Sequence, residues 1–120
     1  WQPAGLFGGA ITCELPRSFS DASTFREVPD HQEVWVDCDS DRSLVIEILE
    51  KKDVPDDQAI AFFLSDLASF NEALEAEVLS SRALAVEEVP QMPAAALCLG
   101  GLGEQTVAKF KEAVRNRVRI

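Results

Sequence analysis

The chain has 120 residues, 47% of them hydrophobic, and 21 acids against 11 Lys and Arg, a net charge of −10. That length supports one domain burying about two thirds of the surface its unfolded form exposes, and the composition excludes a disordered or low-complexity chain. No apolar run approaches the roughly 18 residues a membrane helix needs, so no membrane partner is expected.

The charge is unevenly placed. Residues 1–100 hold 19 acids against 6 Lys and Arg, whereas residues 101–120 hold 2 against 5. Such a field repels polyphosphate backbones and draws basic protein surfaces, so a protein partner is expected and a nucleic acid is not. The basic end, RNRVR, fits charges alternating on the solvent face of a strand.

Ala10 to Leu15 alternates and predicts a strand, entered through Gly8-Gly9 and ended by Pro16. Phe19 to Val28 carries the cap residues Ser20, Asp21, Ser23 and Thr24, which predict one helical turn. Pro29 then holds the chain extended. Glu33 to Asp37 and Leu44 to Glu50 predict a hairpin across the polar turn Cys38 to Arg42, with Val34 and Val36 on one face and Glu33 and Trp35 on the other. Asp53 is positioned to cap a helix through Phe70, with Pro55, Asp56 and Asp57 in its first turn and Ile60, Phe63, Leu64 and Leu67 as its apolar stripe. Asn71 to Ser80 reads as an extension of that helix or a surface insertion. Arg82 to Val89 and Ala94 to Leu99 read as strands, with Gly100 to Gly103 as a turn. Thr106 to Val114 fits either a helix stripe or a strand, and the strand is the expectation for Gln105 to Phe110.

Candidate chemistry is sparse. Asp37, Asp39 and Asp41 open like a calcium loop, but Arg42 stands where the turn glycine belongs and Ile48 where the closing Glu belongs. GGLG at Gly100 to Gly103 lacks a following GK[ST] or a third phosphate-loop glycine. His31 has Asp30 and Glu33 near it in sequence, yet adjacency alone makes no acid–base pair. Cys13, Cys38 and Cys98 are widely spaced and read as free buried or half-buried thiols. No catalytic residue, metal or cofactor is expected.

What stands out is the acidic run: seven acids and one base, Arg26, lie between Asp21 and Asp41. With LFGGAI at Leu6 to Ile11, SDASTFREVPDHQEV at Ser20 to Val34 and SLVIEILE at Ser43 to Glu50, and the weaker RALAVEEV and EQTVAKF later on, the chain resembles the Ran guanine nucleotide release factors. The resemblance implies a Mog/PsbP-like α/β (α+β) fold, a single domain with a twisted, largely antiparallel sheet flanked by a helix. It implies a Ran-binding domain over residues 1–120 lacking a C-terminal portion of the family fold. It also implies a monomeric, non-enzymatic protein of nucleus and cytoplasm that binds the GTPase Ran, promotes nucleotide release and regulates nuclear import. By the same resemblance, Asp21, Asp30 and Glu33 are the residues that contact Ran. The residues themselves leave two other readings open, a nucleotide-independent acidic adaptor and a small-molecule-binding domain.

Overall fold

The computed structural model describes residues 1–93, 96–108 and 115–120, and every strand pair in it is antiparallel. The chain forms two compact units, Trp1–Lys52 and Asp53–Ile120. The architecture is α+β, with one α-helix and strands divided among three sheets among the described residues.

The first unit begins with a strand the sequence concealed, β1 (Gln2–Leu6), paired with β2 (Ile11–Leu15). Pro3 and Gly5 obscure β1, but a two-stranded ribbon has only edges, where a missing N–H is tolerated. The turn between them is a 3-10 segment, Phe7–Gly9, in which Gly8 and Gly9 take φ of 70° and 94°. A second sheet follows: β3 (Phe19–Asp21), β4 (Gln32–Asp37) and β5 (Ser43–Glu47), with β4 central. The expected hairpin is β4–β5, and the expected helical turn is the 3-10 segment Ala22–Thr24, shorter than anticipated because β3 claims its first residues. Gln2 Nε2 donates to the carbonyls of Pro16 (3.1 Å) and Phe19 (2.8 Å), tying β1 to the start of β3. Ala4, Leu6, Leu15, Ala22 and Val34 are buried.

In the second unit a 3-10 turn, Asp56–Gln58, runs into α1 (Ala59–Phe70). Pro55, not Asp53, occupies the cap position, and no side chain caps the turn. The acids Asp56 and Asp57 still meet the positive end of the helix dipole. The helix ends at Asn71, and Glu72, at φ 53°, turns the chain away. The acidic segment is therefore neither helix nor insertion. It leads into β6 (Glu75–Ala83), which pairs with β7 (Leu99–Ala108), itself paired with β8 (Arg115–Arg119).

Of the strand expected at Arg82 to Val89, only Arg82 and Ala83 are strand, as the end of β6. Arg82 donates from Nη1 and Nη2 to the two Glu88 oxygens at 2.8 and 2.6 Å, and Glu88 Oε2 also accepts from Ala85 N at 2.7 Å. These bonds wind Val86–Glu88 into a 3-10 turn. The Arg82 bonds first, then the Ala85 amide, lower the Glu88 pKa from 4.5 to about 2. Of the strand expected at Ala94 to Leu99, residues 94–95 lie outside the described residues, Ala96 to Cys98 are not strand, and Leu99 opens β7. The end of the Gln105 to Phe110 expectation, residues 109–110, also lies outside them; Gln105 to Ala108 is strand.

Gly100 to Gly103 is the other correction, for it lies inside β7 and makes no turn. The reason is contact with α1. A Cβ on Gly103 would sit 2.7 Å from Leu64 Cδ2 and 3.1 Å from the Glu77 carbonyl oxygen, and one on Gly101 would collide with Ile60 Cγ2. Glycine lets the helix settle directly on the strand. Gln105, two residues on and on the same face, is buried and accepts from Asn71 Nδ2 at 3.1 Å, which fastens the helix end to β7. On the opposite face Glu104 lies between Arg119 (3.3 Å) and Arg117 (3.6 Å), so these two arginines of the basic end are engaged by their own sheet.

Candidate functional site

The three acids singled out from the sequence come together in the first unit. Asp21, Asp30 and Glu33 line one depression of about 270 Å³, which Phe7, Pro29 and Gln32 help to wall. Strand register explains the meeting of Asp21 and Glu33. Asp21 of β3 pairs with Trp35 of β4, and Glu33 lies two residues from Trp35 on the same face. Asp30 arrives from the β3–β4 connection, just after Pro29.

Their roles differ. Asp21 is half-buried and caps the 3-10 turn, its Oδ1 accepting from Ser23 N at 2.9 Å. Glu33 is half-buried, and its Oε1 accepts from Phe7 N at 2.7 Å, locking the β1–β2 turn to β4 across 26 positions of sequence. Asp30 is exposed, and its carboxylate has no ion-pair partner among the described residues. It is thus the carboxylate most available to an incoming group. A concave surface with a free carboxylate beside two anchored ones suits a cationic side chain, since ionised hydrogen bonds are about twice as strong as neutral ones.

Sequence reasoning missed Gln32 and the Phe7 turn as parts of the wall. Gln32 Nε2 donates to Glu47 Oε2 at 2.9 Å, and His31 Nε2 lies 3.8 Å from that same oxygen. Only the register of β4 on β5, in which Gln32 faces Glu47, brings these side chains together.

The aspartates that began like a calcium loop have a structural role instead. Asp37 is buried, and its carboxylate accepts from Asp39 N (3.0 Å), Ser40 Oγ (2.7 Å) and Arg42 Nη2 (2.7 Å) and Nε (3.1 Å). The Ser40 hydroxyl and the Asp39 amide, with Ser18 and Arg42 behind them, hold its carboxyl well below the usual range. Above the unfolded-chain value of about 3.9, Asp37 is ionised in both states and its contribution is complete. Below that value the unfolded chain takes up a proton that the folded chain refuses, so stability falls with pH toward the folded value. Asp37→Asn should therefore lower the melting temperature at neutral pH and make its decline between about pH 5 and pH 2 shallower. Thermal melts across that range check both. Of the three free thiols, Cys13 and Cys98 are half-buried as expected, while Cys38 is exposed, 3.3 Å from Ser20 Oγ.

The model of the family described as "Ran-interacting Mog1 protein" matches residues 4–120. The chain is 37% identical over 122 residues to the Ran guanine nucleotide release factor of Danio rerio, covering 96% of this chain and 64% of that protein. It is 34% identical over 119 residues to the probable Ran guanine nucleotide release factor of Dictyostelium discoideum, covering 96% and 60%. The crystal structure of the Saccharomyces cerevisiae Ran-binding protein Mog1p is similar at a TM-score of 0.61 and 26% identity, covering 98% of this chain and 74% of that one. The chain spans a little under two thirds of the length of the curated relatives it matches. With nearly its whole length matched, the chain belongs to the Ran-interacting Mog1 protein family.

Proposed function

We propose that this chain binds the GTPase Ran through the depression formed by Asp21, Asp30 and Glu33, and promotes release of the guanine nucleotide that Ran holds. In this reading residues 1–120 act as one Ran-binding domain, a monomeric regulator of nuclear protein import found in nucleus and cytoplasm. It works by binding rather than by catalysing a reaction, and it uses no cofactor, nucleic acid or membrane. The observation that carries the reading is the convergence of the three acids on one concave surface in a chain of this family.

The mechanism is linkage. A partner that holds nucleotide-free Ran more tightly than loaded Ran must weaken Ran's grip on nucleotide by the same factor. A coupling of about 1–3 kcal/mol corresponds to roughly 5–150-fold. The test is release of a fluorescent guanine nucleotide from Ran with rising concentrations of this chain. Acceleration that saturates within that range is the expected result. Binding without any change in release would leave an acidic adaptor and overturn the release activity.

A further inference from the structure

Residues 23–27 are all exposed, and Phe25, 62% exposed, is the single large apolar side chain among them. Its ring pairs with no other aromatic among the described residues. Its backbone, by contrast, is held firmly. Phe25 N and Arg26 N both donate to the carbonyl of the fully buried Ala22, at 3.1 and 3.0 Å. The Thr24 hydroxyl donates to the Asp21 carbonyl at 2.8 Å, while the Asp21 carboxylate caps the turn. The same segment lines the depression on both sides of Phe25, with Asp21 and Ser23 before it and Val28, Pro29 and Asp30 after it.

Exposed, the ring adds little to the fold, because hydrophobic stabilisation scales with the apolar surface removed from water. Covered by a partner, it buries that surface at small entropic cost, since its backbone is already fixed and its side chain has few rotatable bonds. Charge says which partner fits. Asp21, Glu27 and Asp30 flank Phe25, and Arg26, the lone base of the segment, turns its Nη1 to the Glu27 carbonyl at 3.3 Å. A surface that covers the ring therefore has to present an apolar recess edged by cations. Resting on the reading of the depression as the docking site for Ran, we propose that Phe25 is the apolar anchor of that interface: the acids draw in a basic rim of Ran, and Phe25 seats in an apolar recess beside it.

Stopped flow with Ran, for the parent, Phe25→Ala, Phe25→Leu and Asp30→Lys, measures association and dissociation separately. Charge acts on the encounter, whereas short-range apolar contact sets how long the complex lasts. Phe25→Ala should leave association and its salt dependence within about twofold of the parent and speed dissociation at least about tenfold, as loss of an interface anchor does. Phe25→Leu, which keeps most of the apolar volume, should fall between them. Melting temperatures should hardly differ, as for most exposed substitutions. A readout that needs no truncation is para-fluorophenylalanine placed at position 25, whose fluorine resonance should shift when Ran binds. Unchanged dissociation of Phe25→Ala, or a fluorine resonance that saturating Ran leaves in place, overturns the anchor. If Asp30→Lys alone weakens binding, the depression stands and the anchor falls. If Phe25→Ala alone does so, the anchor stands and the depression falls as the docking surface. A parent that does not bind Ran overturns both.

Discussion

Asp30→Lys should slow association with Ran at low salt by at least about tenfold, while stability stays within about 0.5 kcal/mol of the parent, as for most exposed substitutions. The asymmetry follows from the three carboxylates' surroundings. Asp30 is exposed and free of ion pairs among the described residues, so reversing it alters the field and little else. Glu33 cannot be reversed so cleanly. Its Oε1 accepts from Phe7 N, and a hydrogen bond to a charged group contributes about 1.5–3 kcal/mol. Glu33→Gln keeps an acceptor oxygen and removes the charge, which makes it the informative partner for Asp30→Lys. Screening gives the second axis of the test, because the Debye length falls from about 30 Å at 0.01 M salt to about 8 Å at 0.15 M. The parent's association should slow steeply over that range, and Asp30→Lys with Glu33→Gln should flatten the slope. Reversal of Glu75 and Glu77, which do not line the depression, should leave most of it intact. Equal slopes in parent and double variant would remove the depression as the docking surface.

Gly103→Ala should destabilise the second unit by about 1–3 kcal/mol, the usual cost of forcing extra volume into a packed contact. The new methyl would meet Leu64 Cδ2 on one side and the Glu77 carbonyl oxygen on the other, so α1 must lift or the Leu64 side chain must leave its buried seat. Gly100→Ala faces only the Leu84 side chain, at 3.1 Å, and should cost less. Urea denaturation of Gly103→Ala, Leu64→Ala and the double variant measures the coupling. The double variant should lose less than the sum of the two singles, because residues in direct contact are not additive. Strict additivity would show that the helix does not rest on Gly103.

Where a residue's state follows from near neighbours, the sequence was readable. The β4–β5 hairpin follows from alternation, and α1 from the apolar stripe of Ile60, Phe63, Leu64 and Leu67, although Phe63 itself is exposed. The misreadings share one cause, a decisive contact far along the chain. GGLG reads as a turn until Ile60 and Leu64 are seen resting on it. β6 shows no buried position, so its pattern carries no trace of the β7 ladder that makes it a strand. Arg82 to Glu88 reads as strand until the guanidinium closes on Glu88. The site divides the same way. Asp21, Asp30 and Glu33 came from family resemblance, whereas their shared depression depends on the β3–β4 register and on a bond from Phe7 that no local pattern encodes.

The irregularity in β6 has a consequence for how the protein behaves in concentrated solution. Among the described residues β6 is the outer strand of its sheet, exposed along its whole length, and such a margin invites a neighbouring chain to add itself as the next strand. Its register against β7 slips between Val78 and Ser80, where Leu79 is left over. A strand that bends there cannot offer an unbroken row of amides, and a second copy arriving in register would bring Glu75 and Glu77 against like charges. The slip thus works as protection against edge-to-edge self-association.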